Sequence, residues 1–129
     1  MSLRIEQVLI DAHDPERLAR FWAEVLDYRV EYDSKNDPGN DGSERAIELT
    51  PKEGSATNLL FVEVHDEKTV KNRIHLDLRP DDQAAEVARV EALGARKIDI
   101  GQGEQTWVVM ADPEGNEFCI LSARSPEND

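Results

Sequence analysis

Arg73-Ile74-His75-Leu76-Asp77-Leu78-Arg79, followed at once by Pro80-Asp81-Asp82, is the stretch on which the fold turns. Its two-residue alternation places Ile74, Leu76 and Leu78 on one face of a strand and Arg73, His75, Asp77 and Arg79 on the other. Pro80-Asp81-Asp82 then opens a helix in which Val87, Val90 and Leu93 supply apolar contacts, and Gly94 is placed to end it in a left-handed conformation. The apolar strand face is expected to pack on that helix.

The same order stands in the first half. Ile5-Glu6-Gln7-Val8-Leu9-Ile10-Asp11 predicts a strand with Val8 and Ile10 on one face and Gln7 and Asp11 on the other. Asp14 is an N-cap, Pro15 a first helical residue, and Leu18, Phe21, Trp22, Val25 and Leu26 form one apolar stripe. Gln7 precedes Asp14 by the same offset at which His75 precedes Asp82, and Leu26-Asp27 corresponds to Leu93-Gly94, so the chain reads as an internal duplication.

Further strands are predicted at 28–32, 45–50 and 58–64 in the first copy, with a mobile connection over 34–44 and a hairpin around Pro51-Lys52-Glu53-Gly54. In the second copy they fall near 97–100, 105–111 and 117–121, and Asp112-Pro113-Glu114-Gly115-Asn116 is the turn between the last two. The fold class is α+β: two tandem βαβββ modules, at about 3–64 and 73–122, within one domain spanning 1–124, and residues 125–129 are expected to fray. Neither half covers its sheet face alone. A cupped mixed sheet with the helices outside is the arrangement expected to bury both and leave a concave site.

With 28 acidic and 15 basic residues the formal net charge is −13, which repels phosphate backbones and anionic lipid, so neither nucleic acid nor membrane is an expected partner. No stretch approaches a membrane span, the N-terminus enters a strand pattern without a signal-peptide core, and Cys119 is the single cysteine. These features predict a cytoplasmic protein. The acidity is read as a solvated surface, with attraction of cationic ligands as the sharper alternative.

Three stretches carry a family resemblance: Asp14-Pro15-Glu16-Arg17-Leu18-Ala19-Arg20-Phe21-Trp22-Ala23-Glu24-Val25-Leu26, then Asn72-Arg73-Ile74-His75-Leu76-Asp77-Leu78, then Asp112-Pro113-Glu114-Gly115-Asn116-Glu117-Phe118-Cys119. Together they resemble the glyoxalase-like branch of the vicinal oxygen chelate superfamily, whose members include isomerases, lyases, dioxygenases, epimerases and drug-binding resistance proteins of the bleomycin type. The resemblance implies metal ligands on the first and last strands of each module. It assigns Gln7 and His75 to the first-strand pair, implies one divalent ion (Zn, Ni, Fe or Mn), and implies a homodimer binding a small organic molecule. Where relatives usually carry a last-strand Glu in the second module, this chain has Cys119. In the first module Glu63 is the only carboxylate of the last strand.

Residue chemistry leaves two roles open at most of these positions. His75, with Arg73 and Asp77 on its strand face, is a ligand or acid–base group, or else a histidine hydrogen-bonded to Asp77. Gln7 is a metal ligand or an ordinary polar cavity group. Cys119 is a thiolate ligand, a nucleophile or a plain buried thiol. Glu63 and Glu117 are candidate proton-transfer carboxylates, and Trp107 a candidate aromatic wall for a ligand. The leading expectation is a metal-assisted lyase or isomerase acting on a carbonyl or enediolate. The alternatives are a non-catalytic drug- or antibiotic-binding resistance protein and an accessory domain that works beside a partner.

Overall fold

Asp14 separates the first strand from the first helix by accepting the Arg17 N–H at 3.2 Å, so an otherwise orphaned helical donor is satisfied at the place the sequence marks. The computed structural model describes residues 2–123. The tail expected to fray, 125–129, lies outside them. The described chain divides between Glu67 and Lys68 into two compact units, each built as β-α-β-β-β.

The first unit contains β1 (Gln7–Ala12), α1 (Pro15–Leu26), β2 (Tyr28–Asp33), β3 (Ala46–Pro51) and β4 (Asn58–Glu63), with a short 3-10 turn at Ser34–Asn36. The sheet order is β1-β4-β3-β2, in which β1 runs parallel to β4 and the other neighbours are antiparallel. The α1 stripe Leu18, Phe21, Trp22 and Val25 is buried, as are Ile47, Leu49, Leu59 and Phe61 from the sheet. Burying a side chain the size of Phe61 stabilises by about 2–3 kcal/mol. Phe21 and Trp22 meet edge to face with centroids 5.3 Å apart. α1 ends at Asp27, which takes φ 57, a left-handed cap that a short polar residue tolerates.

The second unit repeats the topology with shorter strands: β5 (Leu76–Leu78), α2 (Gln83–Leu93), β6 (Arg96–Lys97), β7 (Val108–Ala111) and β8 (Glu117–Ile120), in the order β5-β8-β7-β6. Asp82 caps α2 by accepting from Ala85 N at 3.1 Å, and Gly94 follows at φ 120. Val87 and Val90 are buried, while Leu93, expected to join them, is 37% exposed.

β5 starts late because of the turn that Asp112 closes. Its buried carboxylate accepts the N–H groups of Glu114 and Asn116, both at 2.9 Å, and the Asn116 side-chain amide, while Gly115 turns at φ 89. This closed turn sets Ala111 opposite Glu117 and Val109 opposite Cys119. Because the turn ends at Asn116, no strand is available beside residues 73 and 74. β5 therefore starts at Leu76, not at Arg73, and Ile74, expected to face the helix, is 83% exposed. At the other end Val108 pairs with Ile120, the last residue of β8, so β7 does not extend back over 105–107. Likewise β6 ends at Lys97, with one further bond from Ile98 N to Val109 O.

The 34–44 connection is tied at its root. Arg45 donates to both oxygens of Asp33, Nε to Oδ1 at 2.9 Å and Nη2 to Oδ2 at 2.7 Å, and Glu16 approaches the same guanidinium at 3.6 Å. The hydrogen bond from Arg45 holds the Asp33 carboxyl below its ordinary value against the effect of burial. Replacing Asp33 with Asn should therefore cost about 1–3 kcal/mol in urea unfolding at neutral pH. A lowered folded-state pKa gives stability that is complete above the unfolded value, about 4, and is lost as pH falls through the folded value. The gap between the wild-type and Asp33→Asn urea midpoints should accordingly close below about pH 4; a gap unchanged down to pH 2 would contradict the pairing.

Candidate functional site

Alternation in β5 and register in β8 bring three donor side chains together. Asp77 lies opposite Cys119 in the parallel β5–β8 ladder, and His75 precedes Asp77 by two residues on the same side. One ligand atom each from His75, Asp77 and Cys119 lies within 4.8 Å of the other two, and His75 Nε2 stands 3.4 Å from Asp77 Oδ1. Cys119 is buried, at 4% exposure, while His75 and Asp77 open to solvent. Burial raises the Cys119 pKa, and the charge of Asp77 and its hydrogen bond to the thiol raise it further, while the field of Lys71 works the other way.

Glu117 sits two residues before Cys119 on the same face of β8, but both its oxygens are occupied. Lys68 Nζ donates to Oε1 at 2.6 Å and the Asn72 N–H to Oε2 at 2.8 Å. Burial pushes this carboxyl up; the hydrogen bonds from Lys68 and Asn72 outweigh it, and its pKa is lowered. Glu117 therefore holds the incoming segment 68–72 against β8. Lys68 was not among the residues the sequence singled out, and the link of Asn72 to Glu117 was not foreseen, since nothing local ties either to a carboxylate 45 positions or more downstream.

In the first unit, Gln7 pairs with Asn58 on the sheet face away from α1, and Asn58 Nδ2 donates to Glu48 Oε2 at 3.3 Å. Glu63 pairs with the fully buried Ala12 and alternates with Leu59 and Phe61, so its Cα–Cβ direction belongs to the helix-covered face, opposite that of Gln7. Its Oε1 accepts the Arg45 N–H at 3.1 Å. The registers also align the copies: Gln7 with His75, Leu9 with Asp77, Asn58 with Glu117, and Leu60 with Cys119. The first unit thus carries leucine where the second carries two of its three donors. Arg73 is exposed ahead of β5, and Trp107, 38% exposed, stands ahead of β7.

Two βαβββ units of identical strand order are the architecture of the vicinal oxygen chelate class. The chain matches the model of the Glyoxalase-like domain over residues 7–121 and belongs to that family. No curated protein sequence matches it. Among solved structures it is similar to the fosfomycin resistance protein FosX of Mesorhizobium loti, with TM-score 0.71 and 17% identity over 98% of this chain and 97% of that one. A FosX variant of Listeria monocytogenes complexed with Mn(II) and 1S,2S-dihydroxypropylphosphonic acid gives TM-score 0.71 and 12% identity over 99% and 98%. The trypanothione-dependent glyoxalase I of Leishmania major gives 0.66 and 16% over 94% and 87%. At these identities the likeness is one of fold.

Removing one partner of the buried Lys68–Glu117 pair leaves the other charge without compensation. Glu117→Ala is expected to destabilise by about 3 kcal/mol, and amide exchange at Asn72 should become faster in the same variant; full protection of Asn72 would show that Glu117 does not hold the segment.

Proposed function

We propose that the protein binds a small oxygen-bearing organic molecule beside a divalent metal ion held by His75, Asp77 and Cys119. The observation that carries this reading is the meeting of an imidazole nitrogen, a carboxylate oxygen and a thiol sulfur within 4.8 Å on two adjacent strands. Among the described residues no buried side-chain N or O lacks a hydrogen-bond partner, so the case for an ion rests on the donor set itself. Nitrogen, sulfur and one carboxylate suit zinc or iron better than magnesium, and the set matches the mixed ligation of catalytic zinc sites with a position left open. When bound, the ion supplies Lewis-acid polarisation of adjacent ligand oxygens. Asp77 stands 3.4 Å from His75 Nε2 and accepts a hydrogen bond from the Cys119 thiol, and Cys119 itself is buried.

Binding without turnover is the reading that Glu117 favours. A carboxylate with both oxygens committed to Lys68 and Asn72 is poorly placed to shuttle a proton, and Glu63 projects toward the helix-covered face. The His75–Asp77 pair favours the second reading, a metal-assisted lyase or isomerase acting on a carbonyl or enediolate, because an imidazole beside a carboxylate is a general acid–base pair. A panel of small carbonyl compounds separates the two: tight binding with no product supports the binder, and turnover abolished in Asp77→Asn supports the enzyme. A homodimer in the cytoplasm is part of the same proposal, and size in solution tests the dimer. Among the described residues no helix is long and apolar enough to cross a membrane.

Elemental analysis after dialysis against zinc should give one ion per chain in the wild type and a loss of about 10-fold or more in affinity for His75→Ala. Equal zinc in both proteins would remove the site. A second expectation concerns pH. Because the thiol lies above its ordinary value and the ligand is the thiolate, each unit of pH rise should increase zinc affinity by up to about tenfold until the thiol ionises. Cys119→Ser should flatten that slope; an unchanged slope would place the sulfur outside the coordination.

A further inference from the structure

The second unit contains an open cavity of about 490 Å³ whose lining includes Lys68, Lys71, Arg96, Ala111, Glu114 and Glu117. In a chain of net charge −13 this lining is unusual in holding three cations against two carboxylates. Lys68 and Glu117 neutralise each other at 2.6 Å, and the remaining Glu117 oxygen is taken by Asn72. What remains to face a ligand is Arg96 and Lys71, whose Nζ donates a long hydrogen bond of 3.4 Å to the Asn72 carbonyl, with Glu114 as the opposing charge. Ala111 and Ile98 provide an apolar wall. Ala111 pairs with Glu117 on β8 and with Arg96 on β6, so the cavity lies on the sheet face that also carries Cys119, two residues beyond Glu117.

We infer that this cavity is a binding site for the oxyanion group of a small molecule, a carboxylate or a phosphate, held by Lys71 and Arg96 beside the His75–Asp77–Cys119 cluster. The inference rests on the small-molecule reading above and names the ligand class for it. Arg96 offers a planar fork that matches two oxygens of such a group, and Lys71 offers a mobile point charge from the segment that Glu117 pins. The global acidity works against anions at long range, but it is screened beyond about 8 Å at physiological salt, so two local cations decide the sign of the field inside the cavity. Lys71 also reaches the donor cluster electrostatically, since its field acts on the Cys119 thiol. The site thus shares a sheet face with the cluster and is chemically distinct from it.

The test is an amide NMR titration of EDTA-treated full-length protein with inorganic phosphate and, separately, with succinate, ionic strength being held constant with sodium chloride. Saturable shifts at Lys71, Ala111 and Gly115 are expected, weakened by about tenfold or more in the Lys71→Gln/Arg96→Gln double variant. The stronger of the two titrations identifies the oxyanion. His75→Ala should lose zinc yet keep the anion shifts, so the pocket and the metal cluster fail separately. Zinc binding without any saturable anion shift overturns the inference alone, and so does a titration unchanged in a double variant whose remaining spectrum matches the wild type.

Discussion

The buried carboxylate of Asp112 governs more of this molecule than any apolar contact of comparable size. By gathering the N–H groups of Glu114 and Asn116 and the Asn116 amide onto one side chain, it closes the turn between the last two strands at a set length. A one-residue slip there would exchange Glu117 and Cys119 for Phe118 and Ile120 across the sheet, moving the polar side chains to the helix side and the core side chains to the other. Cys119 therefore stands on the sheet face where β5, through its own parallel register with β8, places Asp77. A short-range polar knot thereby sets the facing of one member of a long-range cluster.

Local signals were legible in the sequence, and they are the ones satisfied within a few residues. Asp14 and Asp82 cap the helices at the places their spacing marks, Asp27 and Gly94 end them, and the turn over 112–116 is where Pro113 and Gly115 put it. His75 and Asp77 on one strand face also follow from alternation alone. What alternation could not supply is partner choice. The outward extension of Ile74 and the short reach of β6 and β7 depend on where a neighbouring strand stops, and the direction of Glu63 on the register of β4 beside β1, which no run of residues encodes by itself. The capture of Glu117 by Lys68 and Asn72 is of the same kind, because it needs a linker folded back on a strand far along the chain.

Duplication of topology has not meant duplication of chemistry. Leu9 and Leu60 occupy the positions that Asp77 and Cys119 hold in the second copy, and Gln7 and Asn58 those of His75 and Glu117. In the first copy Asn58 bonds Glu48, while the second brings imidazole, carboxylate and thiol side chains together on one sheet face. The same backbone plan thus supports two differently furnished sheets. Side chains at four matched positions make the difference, consistent with function residing in sites and not in folds.

α1 buries Pro15, Leu18, Ala19, Phe21, Trp22 and Val25, whereas α2 buries Val87 and Val90. The half of the chain with the His75–Asp77–Cys119 cluster therefore has the helix with fewer buried residues, and its sheet side is also linked by the Lys68–Glu117 ion pair. In such a unit occupancy and folding become linked quantities. Any guest that joins β5 to β8 adds its own binding free energy to the cohesion of the sheet, so the loaded and empty forms differ in resilience as well as in chemistry.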